Sequence, residues 1–339
     1  MEQFFVTAIA LAILTYFYTW LVRTIDRFEK KPVPYLIAAL AWGGVSVIVF
    51  SLILHPIFSL PMTSIFGQEI PGSKFIQATI STPITEEIIK GFAVTIMYLK
   101  YRRQFDGWVD GIIYGAMVGF GFAYVENIVD LLNTSSWQEW GIVFSLRVVV
   151  FTGLHGFWSA LIGIGFGFAC YTSNPFQKII RIFSGLIAGM LSHSLHNGTV
   201  HFLDNADSLM AVANERMWLV GLFNYTALIL SIVVVWSVAG YIDQQRLRIY
   251  LREEVPDSLS TECYEALCKP RSNALAALGM SSQQRRALFQ VGVELAQKKL
   301  QLSKIGEQGG SSIEIARLRE ELRRLGNGDW GVATERRSF

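Results

Sequence analysis

Long apolar runs dominate the chain from residue 4 to residue 241. Seven runs of mainly apolar residues alternate with short polar stretches, at about residues 4–22, 34–57, 77–99, 109–132, 142–171, 179–203 and 216–241. A helix needs about 20 such residues to cross a membrane. Membrane β-strands are shorter, about ten residues, and alternate in polarity. The pattern therefore predicts an all-α, polytopic membrane bundle of about seven transmembrane helices.

The distribution of charge separates this apolar region from the end of the chain. Hydrophobic residues make up 52% of the 339 residues and charged residues 17%. Residues 242–339 nevertheless contain 16 Lys or Arg and 13 Asp or Glu, against 13 and 14 in residues 1–241. This division excludes a single soluble domain, a fibrous repeat and a disordered protein. We predict a transmembrane domain at 1–241 and a soluble helical tail at 242–339. The net charge of +2 gives no reason to expect nucleic-acid binding.

Basic residues in the short loops predict the orientation in the membrane. The first loop has four Lys or Arg between residues 23 and 31, and the third has three between 100 and 103. The second loop has only Lys74 and the fourth has none. Because Lys and Arg concentrate in cytoplasmic loops, the odd-numbered loops and the tail are predicted to be cytoplasmic and the N-terminus to lie outside.

Ionisable side chains inside the apolar runs are the strongest functional signal. They are Glu86, Glu87, Lys90, Glu126, Arg147, His155, His193 and His196, with Asn197 beside the last. A central charge opposes membrane insertion by roughly 2.5–3.5 kcal/mol. At about 1.5 Å per residue, the acids and imidazoles of four helices lie roughly 10–20 Å below the outer membrane surface. We therefore predict that they face one another or an enclosed water cavity.

The spacing of these residues suggests their chemistry. Lys90 follows Glu86 by four residues and Glu87 by three, so one of the two glutamates can pair with it and the other is left without an assigned partner. Adjacent carboxylates in a low dielectric disfavour double ionisation, which suits a general acid or base. His193 and Asn197 share a helix face and are candidate donors to an oxyanion. The alternative is a neutralised ion pair and hydrogen-bonded packing histidines.

Four short motifs in successive helices resemble those of a known family. They are EEIIK at 86–90, GFAYVEN at 121–127, LHGFWS at 154–159 and HSLHN at 193–197. In order and placement they resemble the PrsW family of intramembrane proteases over about residues 1–205. That family is similar to the group of CAAX prenyl proteases and bacteriocin-immunity proteins. The resemblance implies an endopeptidase of the bacterial cell membrane that cleaves membrane-tethered proteins, for example anti-sigma factors.

The resemblance also implies roles for individual residues. Glu86 would be the general base that activates a water molecule, with Glu87 beside it. His193 and Asn197 would stabilise the tetrahedral oxyanion. Glu126 stands where the wider group has a histidine, so His155 is expected to supply the imidazole instead.

Metal dependence is the main chemical alternative. Glu86, Glu126, His155 and His193 could form a zinc site with an open position for water, and the family has been labelled a metalloprotease. No HExxH motif is present. Because the prenyl-protease group is read as glutamate-dependent, we favour a metal-free mechanism in which Lys90 positions the glutamates.

Two further classes of function compete with a protease. The buried groups could form the proton relay of a transporter, or His155 and His193 could be axial ligands of a haem. The chain could also be an inactive relative that serves as a scaffold for a partner.

The tail contains two amphipathic segments, at 273–302 and 313–325. The second is opened by Ser311, with Glu314 three residues further on, and this pair predicts a capping box. A small helical appendage without chemistry is the simplest interpretation of the tail. A docking module for a cytoplasmic partner is the alternative.

Overall fold

A computed structural model describes residues 2–26, 31–49, 53, 73–102, 104–204, 216–269, 274–307 and 310–327. Helices account for the regular secondary structure of these residues, and none of them lies in a strand. The prediction of an all-α protein is confirmed.

Thirteen α-helices are described, together with two π-helical segments and one 3₁₀ turn. The α-helices are α1 Glu2–Arg23, α2 Val33–Val49, α3 Ser73–Ile76, α4 Thr82–Lys100, α5 Trp108–Leu132, α6 Trp137–Val143, α7 Thr152–Ala169, α8 Pro175–Asp204, α9 Arg216–Tyr250, α10 Thr261–Cys268, α11 Ala274–Ala277, α12 Ser282–Ile305 and α13 Ser311–Gly326. The π-helical segments are Gln77–Ser81 and Phe144–Val150, and the 3₁₀ turn is Arg252–Glu254.

Five helical segments in the described part of the chain are long and apolar enough to cross a membrane. They are Glu2–Arg23, Trp108–Leu132, Trp137–Ala169, Pro175–His201 and Leu219–Tyr250. The second predicted run forms the shorter apolar helix α2, and its residues 50–57 lie outside the described residues except for Ile53. The third run forms α3, the first π-helical segment and the charged helix α4. The chain is thus an integral membrane protein built of helices.

The structure divides into two compact units. The first comprises residues 1–24, 33–170 and 174–232, and the second comprises residues 25–32, 171–173 and 233–339. The boundary after residue 232 falls within α9. All of the ionisable residues singled out in the apolar runs belong to the first unit.

Glycines allow α5 and α7 of the first unit to approach very closely. A Cβ atom added to Gly111 would lie 2.0 Å from the carbonyl oxygen of Gly163, and one added to Gly119 would lie 2.1 Å from that of His155. These distances are far below a normal van der Waals contact, so only glycine fits at either position. This close packing also fixes the position of His155 along α5.

Alanine at residue 119 is expected to destabilise the first unit. The new methyl group would meet the His155 backbone and force α5 and α7 apart, at a cost of about 1–3 kcal/mol. Thermal unfolding of the purified protein in detergent measures this loss. Gly141→Ala is the matched control, because nothing lies within 4 Å of an added Cβ there. Equal melting temperatures for the two variants would contradict the close packing.

Both π-helical segments lead into helices that carry ionisable residues of the candidate site. Gln77–Ser81 directly precedes α4 with Glu86 and Glu87, and Phe144–Val150 precedes α7 with His155. The widened turn frees backbone carbonyls and rotates the following helix, which is why such turns are common at functional sites. Pro83, at the start of α4, accounts for the irregularity next to the first segment.

The second unit has a hydrophobic core of its own. Side chains from the end of α9, from α10 and from α11 to α13 are buried together, among them Leu251, Leu267, Leu288, Leu318 and Leu322. The apolar positions of the amphipathic tail segments are therefore buried in a packed helical domain.

The starts of the two long tail helices differ in how they are capped. Ser281 and Gln284 form a capping box at the start of α12. The capping box predicted for Ser311 and Glu314 is wrong: the N-cap of α13 is Gly310, and Ser311 is already helical. Gly310 has a positive φ of 85°, a backbone conformation that glycine adopts without strain. The helix α13 therefore begins one residue earlier than the sequence motif suggests.

A buried ion cluster joins the 3₁₀ turn to α12 and α13. Glu254 accepts hydrogen bonds from Lys299 and Arg319, the latter at 2.8 Å, and Lys299 also donates to the carbonyl of Tyr250 at 3.0 Å. Burial of Glu254 disfavours its charged form, but the hydrogen bonds from Arg319 and Lys299 outweigh it and lower the pKa of this carboxyl.

Glu254→Gln is expected to destabilise the tail by about 3 kcal/mol, because it leaves the buried ammonium of Lys299 without its buried charge partner. Because the folded-state pKa of Glu254 is lowered, its contribution is present above the ordinary value of 4.5 and is lost as the pH falls below it. Hydrogen exchange of α12 in the full-length protein measures both effects. Glu320→Gln, at an exposed ion pair with Arg323, is the control and should change little. Equal exchange in both variants would rule out this role.

Candidate active site

A buried lysine lies between the two adjacent glutamates of α4. Lys90 Nζ is 3.2 Å from Glu86 Oε2 and 2.8 Å from Glu87 Oε1. The side chain of Lys90 is 0% exposed, and the ring of Phe122 lies 4.1 Å from Nζ. The expectation that only one glutamate pairs with Lys90 is wrong. Helical spacings of three and four residues place both carboxylates on the same side of the helix as the lysine.

His155 connects this lysine to the carboxylate of α5. Its Nδ1 is 3.1 Å from Lys90 Nζ, and its Nε2 is 3.3 Å from Glu126 Oε2. Arg147, in the second π-helical segment, reaches Glu126 Oε1 at 3.0 Å and also pairs with Asp130. Acids, imidazole and cations therefore form one continuous chain of polar contacts from α4 to α7 and α5.

His193 of α8 joins the cluster through Glu87. Its Nδ1 is 2.9 Å from Glu87 Oε1, and its ring stacks on Trp158 with centroids 3.7 Å apart and an interplanar angle of 10°. A carboxylate only accepts hydrogen bonds, so Nδ1 must carry the proton. The stacked indole and the hydrogen bond together fix the orientation of the imidazole ring. The other ring nitrogen, Nε2, is left for other chemistry.

Asn197 lies one turn beyond His193, and its described hydrogen bond is with the first π-helical segment. Its amide donates to the carbonyl oxygen of Ala78 at 2.9 Å. His196 packs against Phe151 and Trp158, and the Nδ2 atom of Asn224 is 3.4 Å from its Nδ1. Neither residue has a described hydrogen bond to the acids.

The structure thus brings together five of the six residues predicted for the site. Glu86, Glu87, Glu126, His155 and His193 are linked by contacts of 3.3 Å or less through Lys90. Asn197 lies beside the group without a described contact to it. Arg147 and Trp158 were not predicted as site residues, although a charge inside an apolar run signalled the first and the LHGFWS motif contained the second.

Comparison with known proteins agrees with this geometry. A family profile described as "PrsW family intramembrane metalloprotease" matches residues 31–238, which include every residue of the cluster. The chain belongs to the PrsW family. No solved structure matches the chain at a significant level.

Three curated bacterial proteins named "Protease PrsW" are similar to the chain. The one from Geobacillus kaustophilus is 30% identical over 156 residues, which are 46% of this chain and 61% of that protein. Those from Bacillus subtilis and Oceanobacillus iheyensis are 24% and 25% identical and are covered over 88% and 89% of their length. The predicted family is confirmed, and its members are intramembrane proteases, which favours a protease over the transporter, haem-protein and scaffold alternatives.

The profile's description implies a metal ion, which the residues of this PrsW-family chain can be tested against. Ligand atoms within 4.8 Å of one another occur in two sets among the described residues, Glu86 with Glu126 and His155, and Glu86 with Glu87 and His193. Carboxylate and imidazole donors suit Zn²⁺. Both sets, however, include two residues that contact Lys90 Nζ, a cation that donates three hydrogen bonds, has no lone pair and would repel a metal ion beside it. With the lysine there, the residues do not fit a zinc ion.

An apolar cavity adjoins the cluster. It has a volume of about 520 Å³ and lies between α7, α8 and α9, with Leu154, Phe157, Leu195, Leu219 and Phe223 in its wall. Trp158 belongs to this wall and also stacks on His193, so a single indole separates the cavity from the imidazole. The cavity therefore offers an apolar binding space directly beside the polar site.

Proposed function

We propose that this chain is an intramembrane endopeptidase that hydrolyses peptide bonds of membrane-tethered proteins with a glutamate-activated water molecule. The observation that carries the proposal is the meeting of three glutamates and two histidines from four helices. Such groups are costly inside a membrane and are retained there for function. Membership in the PrsW family supplies the reaction class.

The carboxylate of Glu86 is proposed as the general base. It belongs to both three-residue sets, so it is the acid that faces His155 and Glu126 as well as Glu87 and His193. Glu86 takes a proton from water while the water oxygen forms a bond to the scissile carbonyl carbon. When the tetrahedral intermediate collapses, the carbon–nitrogen bond breaks and Glu86 gives the proton to the leaving amine.

His193 is proposed to stabilise the oxyanion. Its Nδ1–H is already donated to Glu87, so the ring must be protonated on both nitrogens to donate from Nε2. The negative charge of Glu87 supports that imidazolium, as the carboxylate of a catalytic triad does. Asn197 has a second amide N–H beyond the one bonded to Ala78, and we propose that it is an additional donor.

The 520 Å³ cavity is the proposed binding place for an apolar segment of the substrate. A membrane-tethered polypeptide presents apolar side chains at this depth, and its backbone would reach the polar site past Trp158. We further propose, from the basic loops, that the N-terminus lies outside and the tail in the cytoplasm.

The proposed function can be tested with the purified full-length chain in liposomes. A single-span reporter protein with a fluorescent tag on each side is co-reconstituted, and fragments are followed on gels and by mass spectrometry. Two fragments cut within or next to the span are the expected result. An intact reporter after prolonged incubation with folded protein, across several reporter sequences, would contradict the proposal.

A further inference from the structure

Lys90 is the buried cation of the cluster, and every N–H group of its ammonium has an acceptor. Its ammonium has three N–H donors, and three acceptors lie within 3.2 Å: Glu86 Oε2, Glu87 Oε1 and His155 Nδ1. The remaining side is covered by the face of Phe122. The ammonium of Lys90 is thus surrounded by three hydrogen-bond acceptors and an aromatic ring, as a bound cation would be.

The contact with Lys90 also fixes the protons of His155. An ammonium can only donate, so Nδ1 of His155 accepts and, in the neutral ring, Nε2 carries the hydrogen. Nε2 lies 3.3 Å from Glu126 Oε2. A histidine that binds zinc through one nitrogen usually donates its other N–H to an acceptor. If Nε2 of His155 bound zinc, its other nitrogen, Nδ1, would face the ammonium of Lys90, which is a donor and not an acceptor.

We propose that Lys90 takes the place of a metal ion in this protein. Its ammonium contacts two residues of either zinc set, so a divalent ion in either set would lie next to a positive charge. It also supplies the positive charge that holds Glu86 and Glu87 together without a divalent cation. In the terms of the proposed function, on which this inference rests, Lys90 is a positioning residue: it aims the carboxylate of Glu86 and balances the charge of Glu87. The chain is then a metal-independent member of a family described as metalloproteases.

The inference predicts that removal of the lysine creates a metal site. In Lys90→Met a neutral side chain of similar length replaces the ammonium, and Glu86, Glu126 and His155 become free to bind an ion. In Lys90→Arg a cation remains. Lys100→Met, at an exposed position on the same helix, is the matched control.

Metal content and zinc titration of the purified proteins test the prediction without any use of activity. We expect wild type, Lys90→Arg and Lys100→Met to contain little zinc, on the order of a tenth of an equivalent or less. Lys90→Met should take up about one equivalent, with an affinity at least roughly ten times higher than that of the wild type. Adding His155→Ala to Lys90→Met should remove the gained affinity, since it deletes one of the three ligands of that set.

The cleavage assay adds a second, separate measurement. Wild-type cleavage should survive a strong chelator, Lys90→Met should lose cleavage, and Lys90→Arg should retain part of it.

Two results of the zinc measurements would overturn the inference. One is an equivalent of zinc in the wild type that is lost in His155→Ala, and the other is equal zinc affinity in wild type and Lys90→Met. If no reporter is cleaved at all, the proposed function fails while the zinc measurements still decide the role of Lys90. If Lys90→Met does not fold, zinc content and chelator resistance of the wild type and Lys90→Arg decide it.

Discussion

Replacing Glu86 by glutamine is expected to abolish cleavage of the membrane-tethered reporter. Glutamine has nearly the same shape, but its amide cannot take a proton from water. Loss of a general base costs roughly 10²–10⁴-fold in rate. Because Lys90 retains Glu87 and His155 as acceptors, the cluster should stay assembled. The rate constant for reporter cleavage in liposomes, under single-turnover conditions, measures the loss.

The control for this result is a glutamate outside the cluster. Glu139 is exposed near the start of α6 and accepts a hydrogen bond from the Ser135 backbone, which a glutamine can also accept. Glu139→Gln should therefore leave both rate and thermal stability unchanged. A Glu86→Gln variant that cleaves at the wild-type rate would show that another group is the base, and Glu126→Gln would then be the next variant to measure.

The residues of the site could be predicted because ionisable residues are rare inside membrane-spanning apolar runs and can be recognised there directly from the sequence. Glu86, Glu126, His155 and His193 lie at similar depths in four helices that alternate in direction, so helix length and orientation alone suggest that they meet. The insertion cost of each charge gives the physical reason for that meeting. Four motifs in successive helices then identified the family.

The connections within the site could not be predicted in the same way. That Lys90 contacts both glutamates and also His155 depends on how far α4 is rotated toward α7. A π-helical segment precedes each of these helices, and no simple periodicity in the sequence marks such a segment. The stacking of Trp158 on His193 likewise depends on the close approach of helices through glycines.

In the tail, the start of helix α13 could not be predicted from the sequence motif alone. Its amphipathic pattern correctly indicated helices, but the Ser311 motif placed the start of α13 one residue late. Gly310 provides the helix cap there, and the carboxylate of Glu307 accepts hydrogen bonds from the Ser312 backbone. Local motifs compete with one another at helix ends, and only tertiary structure decides between them.

The hydrogen bond between Glu87 and His193 leads to the second large expected effect. If Glu87 supports a positively charged His193, then His193→Ala and Glu87→Gln each remove the same oxyanion donor. Loss of such a donor costs about 10²–10³-fold in rate. We therefore expect each single variant to lose cleavage by about that factor. The double variant should be little worse than the more impaired single variant.

Non-additivity is the decisive measurement, because residues that act as a unit do not lose activity independently. Single-turnover rates of the wild type, both single variants and the double variant give the coupling between the two side chains. His201→Ala removes an imidazole eight residues further along the same helix, α8, and should retain most activity. Thermal unfolding of all variants separates chemistry from folding, since Glu87 also contacts Lys90. If the two losses simply multiply in variants that are equally stable, Glu87 and His193 act separately, and the oxyanion must be stabilised by a different pair of groups.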